Sequence, residues 1–85
     1  MEIKVFKFDG IEGEIESLND WLGEYTIAEY EAVVKKFLDI EILCLCVGEI
    51  NFYTINPGDT IIIKEDAKKN QIVMKLDPYD LQKIR

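Results

Sequence analysis

Histidine is absent from this 85-residue chain, and cysteine, proline and tryptophan are scarce, at two, two and one residues. Without histidine, neither a Ser/His/Asp nor a Cys/His arrangement can be assembled, and acid–base work would fall to carboxylates, lysines or cysteines. No Gly-rich phosphate-cradling motif occurs either. The chain therefore reads as a non-enzyme. Cys44 and Cys46 are too few and too close for the disulfide framework of a small secreted domain. On a strand they share one face, where they serve as small apolar residues. A metal site would need two further ligands nearby, so no metal or other cofactor is expected.

Long apolar runs are also missing. No stretch approaches the ~20 residues that cross a bilayer, and the opening MEIKVFKFDG lacks the basic-then-apolar pattern of a signal peptide. The expectation is a cytoplasmic protein with no membrane partner. Basic charge is in deficit, with 10 Lys and Arg against 17 Asp and Glu and a net charge of −7. The excess is local. Residues 1–31 hold nine carboxylates against two lysines, whereas the remainder carries eight of each sign. Direct binding of nucleic acid is disfavoured, because phosphates seek the positive charge that this surface lacks.

What is present is a folded-protein composition, 48% hydrophobic, in a chain long enough for one core only, so residues 1–85 read as a single domain. Ile3, Val5, Phe6 and Phe8 suggest a first strand ending at Asp9-Gly10. Ile15, Leu18, Trp21 and Leu22 recur at helical spacing, with Gly23 in the usual stop position, which predicts a short N-terminal helix. Thr26 and Glu29 read as a capping box, followed by a helical stripe of Tyr30, Val33, Val34, Phe37 and Leu38. That pattern predicts the main helix over 26–39. From Ile40 the period changes to two. IEILCLCV and INFYTI read as strands joined by Gly48-Glu49, TIIIK and QIVMKL as two more, and DPYDLQKIR as a closing helical turn with Asp77 as its cap, Asp80 near the positive end of its dipole, and Leu81 and Ile84 packed inward. The predicted fold class is α+β: a small antiparallel sheet of about four to five strands, mostly a meander, packed by one main amphipathic helix plus the short N-terminal one.

Between two β-branched runs stands Asn56-Pro57-Gly58-Asp59. Proline presets φ at the second position of a type II turn, and glycine accepts the positive φ demanded at the third. With Phe8, Gly10, Ile15, Leu18, Trp21, Leu22 and Gly23 at one end, and Pro57, Gly58, Asp59, Ile61, Ile62, Pro78 and Leu81 at the other, the chain resembles small bacteriophage and prophage proteins that carry a C-terminal Pro-Gly-Asp turn. The resemblance implies an origin in a phage or mobile element and carries over no catalytic residue.

Three functions follow as expectations. Glu12, Glu16, Asp20 and Glu24 recur every four residues and would form a negative stripe on an extended first helix. Such a stripe costs roughly 0.2–0.5 kcal/mol per like-charged pair. Together with Trp21 and Tyr25 it is the candidate contact surface of a phage accessory protein that binds and modulates a host protein, an inhibitor that imitates the charge of DNA being one form. The competing reading is an ordinary solvated face, since acids near a helix start are favourable anyway. The aromatics Trp21, Tyr25, Tyr30, Phe52, Tyr53 and Tyr79, together with an unpaired sheet edge, support a self-associating subunit such as a homodimer. A small-nucleotide binder ranks below both, because no basic cluster would hold a phosphate.

Overall fold

The computed structural model describes residues 1–79. Six strands and one helix follow in the order β1 (Glu2–Lys7), α1 (Glu14–Tyr25), β2 (Glu31–Phe37), β3 (Ile40–Val47), β4 (Ile50–Ile55), β5 (Thr60–Glu65) and β6 (Gln71–Leu76). They form two three-stranded antiparallel sheets, β1-β5-β6 and β2-β3-β4.

The predicted helix-packed α+β form is therefore wrong. The segment 26–39 is not the main helix: its centre is strand β2, paired to β3 from Glu31↔Cys46 to Phe37↔Ile40. The helical stripe misled because a short apolar run satisfies two periods at once. Ala32 and Val34 also alternate with Val33 and Lys35, and adjacent β-branched Val33 and Val34 favour a pleated strand next to the strongly β-forming IEILCLCV. Nor is there a capping box. Thr26 closes α1: it is extended, its N–H donates to Leu22 O at 2.9 Å, and its Oγ1 donates to the same carbonyl at 2.6 Å. Glu29 sits at φ 58, outside any helix. Gly23 does not stop α1 either, which continues two residues to Tyr25.

The remaining strands lie where the alternation put them, and Gly48-Glu49 joins β3 to β4. The C-terminal segment enters a helical turn at Pro78; the expected dipole role of Asp80 and packing of Leu81 and Ile84 fall outside the described residues.

One core joins the helix and both sheets. Leu18 and Leu22 of α1 are fully buried in a single cluster with Phe8, with Ile61, Ile63 and Val73 of the first sheet, and with Ala32, Leu45 and Ile55 of the second. Each large aliphatic in that position contributes roughly 2 kcal/mol by leaving water. The two sheets share no ladder, so polar contacts complete the join. Asn19 of α1 presents its amide to the edge of β2, accepting from Ala32 N–H at 2.7 Å and donating to Ala32 O at 3.0 Å. Gln71 at the start of β6 holds the end of α1, donating to Tyr25 O at 2.7 Å and accepting from Ile27 N–H at 2.9 Å. Lys75 further along β6 donates to Thr54 O on β4 at 2.9 Å.

The Pro-Gly-Asp turn has the expected geometry. Asp59 N–H donates to Asn56 O at 3.0 Å, closing the turn, and Gly58 has φ +95. It is also a junction between distant parts of the chain. Gly58 N–H donates to Phe8 O and Phe8 N–H to Asp59 O, at 2.7 and 2.8 Å. Gly10 lies so close that an added Cβ would sit 2.7 Å from Pro57 Cγ, and Pro78 Cγ would stand 3.0 Å from a Cβ on Gly58. Six of the positions quoted for the resemblance, Phe8, Gly10, Pro57, Gly58, Asp59 and Pro78, thus meet around one turn.

Two other turns carry local chemistry. Asp66 accepts from Asn70 N–H at 2.9 Å, from Asn70 Nδ2 at 3.1 Å and from Lys68 N–H at 2.8 Å, and these bonds hold its carboxyl below the ordinary range. At the β2–β3 turn, Leu38 takes φ 55 and is 93% exposed. The left-handed conformation costs a leucine roughly 1 kcal/mol, whereas asparagine tolerates it. Leu38→Asn is accordingly expected to stabilise the fold by about 1 kcal/mol. The check is a denaturant midpoint that rises at unchanged slope.

Candidate partner-binding surface on the helix

Helix α1 starts without a side-chain cap: Gly13 is its N-cap, in the left-handed region. Glu14, the first helical residue, reaches back instead to the loop before the helix, where its Oε1 accepts from three successive backbone N–H groups, Asp9 at 2.8 Å, Gly10 at 2.7 Å and Ile11 at 3.2 Å. Three converging amides form an anion-binding concavity, here filled by the chain's own carboxylate. Sequence reasoning left Glu14 among the surface acids. The only hint was its position in the first helical turn after a glycine-bounded loop.

The predicted stripe is divided by this start. Glu12 lies before the helix and does not continue the row, although it is exposed. Glu16, Asp20 and Glu24 are all helical and all exposed, at four-residue steps that place them along one side of α1. Among the described residues none of the three is in an ion pair, and the ion pairs that do form are Lys7–Asp9, Lys69–Glu65 and Lys75–Asp59. The last turn of α1 holds no basic residue.

Trp21 and Tyr25 follow Asp20 and Glu24 directly in the helix and pack toward β1. Trp21 packs on Phe6 of β1 with ring centroids 5.4 Å apart, Tyr25 meets Trp21 edge-on at 6.1 Å, and Lys4 Nζ lies 5.0 Å from the Tyr25 ring centre. Both are half-buried, so part of each ring stays accessible. The other aromatics divide similarly. Tyr30 and Tyr53 pack against the core, Phe52 is the extra residue of a bulge in β4 and meets Tyr30 with its ring tilted by 52° at 5.5 Å, and Tyr79 is exposed. Burial raises the Tyr30 hydroxyl above its ordinary pKa, with Tyr53 adding to the effect.

Cys44 and Cys46 are free and buried on one face of β3. The Cys46 thiol donates to Asn51 Oδ1 at 3.0 Å. Among the described residues no group of three or more potential ligands is placed to hold a metal ion, and no helix is long and apolar enough to cross a membrane. A groove of about 760 Å³ runs past Phe8, Gly10 and Pro57 to the β3 segment Ile40, Glu41, Ile42 and Leu43. Among the described residues Glu41 is its one charged lining residue, and none of them offers a cation to a phosphate. No protein-family model, curated protein or solved structure matches the chain.

Proposed function

We propose that this is a phage or prophage accessory protein of the host cytoplasm, a non-catalytic domain that binds and modulates a host protein through the carboxylate side of α1. One observation carries the reading. Glu16, Asp20 and Glu24 stand exposed in a row and, among the described residues, form no ion pair, an arrangement that weakens an isolated helix. A basic surface on a partner, such as a nucleic-acid groove, would relieve that repulsion and supply the missing charges. The accessible parts of Trp21 and Tyr25, adjacent to Asp20 and Glu24 in the helix, provide apolar area of the kind favoured in interfaces.

The test is capture of host proteins from a nuclease-treated bacterial lysate, followed by affinity measurement with the partner recovered. Glu16→Lys combined with Asp20→Lys is expected to weaken binding at least tenfold, and rising salt to weaken the native contact, because exposed charges are screened within a Debye length. Unchanged affinity of the double variant at low salt would remove the helix from the interface.

A further inference from the structure

The strand register exposes a second surface that alternation alone could not reveal. An antiparallel sheet with one solvated face normally turns polar side chains outward. In the β1-β5-β6 sheet, Phe6, Ile61, Ile63 and Val73 point to the core. The opposite face is built from the alternate positions. Val5 pairs with Ile62, and Ile62 with Met74; Ile3 pairs with Lys64, and Lys64 with Ile72; Lys7 pairs with Thr60, and Thr60 with Leu76. Two of its three rows are thus largely or wholly aliphatic. Ile3, Val5 and Ile72 are 55%, 57% and 60% exposed, and Met1, two residues before Ile3, is exposed as well.

We infer that this face is covered by the same face of a second copy of the chain, giving a two-fold dimer with the two helices on the outside. Area supports a second copy. Ile3, Val5, Lys7 and Ile72, with the partly exposed Ile62, Lys64, Met74 and Leu76, present on the order of 500 Å² per copy, so two faces together bring roughly 1,000 Å², the threshold of a specific interface. Charge supports it too. The three rows contain Lys7 and Lys64 but no carboxylate, so in a chain of net charge −7 two copies meet on them without opposing acids, Glu2, Glu65 and Asp66 lying beyond the rows beside Met1. Crossing the sheets with their strands antiparallel sets Ile62 over Ile62 and carries each Lys64 toward the partner's Thr60 end, away from the other Lys64. Sheets packed this way stand about 10 Å apart, a distance that aliphatic side chains fill.

The inference does not rest on the proposed function, since α1 packs on the other side of this sheet. Salt separates the two: it weakens a contact between carboxylates and a basic partner, whereas it screens the repulsion between two chains of −7 and so strengthens the dimer. Sedimentation equilibrium of the whole chain is the experiment. A mass of twice 9.9 kDa is expected, with association tightening between low and high salt. Val5→Lys and Ile72→Lys, at exposed positions, are each expected to weaken association at least tenfold with the circular dichroism spectrum intact. Val5→Thr and Ile72→Thr, which keep the β-branched shape, should shift it in the same direction by less. A chain that stays monomeric at high salt and high concentration overturns the proposal, as does a dimer that persists unchanged in these variants.

Discussion

Asp59→Ala is expected to destabilise the protein by about 3 kcal/mol, since removing one partner of a buried ionic contact strands the other. The carboxylate is 2% exposed, accepts from Asn56 N–H at 2.7 Å and lies 3.5 Å from Lys75 Nζ, itself mostly buried. Alanine leaves that amide without a partner and the ammonium with Thr54 O alone. Because Asp59 O also receives Phe8 N–H, the loss falls where β1, β4, β5 and β6 converge. Asp59→Asn, which keeps an acceptor but no charge, should cost about half as much. Equilibrium denaturation measures both. An alanine variant as stable as the native chain would mean that the backbone bonds around the turn suffice without the side chain.

Asn19→Ala is expected to cost about 2–3 kcal/mol, because two backbone groups of one buried residue lose their partner together. Ala32 is buried, and both its N–H and its C=O are satisfied by the Asn19 amide. The substitution opens the edge of β2 and loosens the second sheet from α1. Hydrogen exchange at the Ala32 amide should accelerate along with the loss of stability. Retained protection at Ala32, with stability unchanged, would show that another protein group takes over the two bonds of the Asn19 amide and would overturn the prediction.

These two residues were not equally legible. Asp59 announced a turn through its neighbours Pro57 and Gly58, but its burial and its pairing with Lys75 depend on β6 returning alongside β5, sixteen residues later. Asn19 gave no signal at all. An asparagine inside an amphipathic helix reads as surface, and only the approach of β2 makes it a strand-edge partner. Glu14 was hidden in the same way among eight other acids of the first 31 residues. Of the candidate contact row, Glu16, Asp20 and Glu24 were legible from four-residue spacing, whereas Glu12 was misplaced because the helix begins only after Gly13.

The sequence by itself determined the strands β3 to β6, the Gly48-Glu49 and Pro57-Gly58 turns, the first helix and the concentration of acid on the N-terminal third, because each follows from local periodicity, turn chemistry or simple counting. Tertiary structure decided the state of residues 31–37, where helical and alternating patterns coexist and pairing with β3 selects the strand. It also decided the pairing of β1 with β5, and with it which aliphatic residues enter the core and which remain outside. A one-residue shift of register exchanges the two faces of a strand. That choice is fixed by the helix and the second sheet closing over one face, and by nothing within the strands themselves.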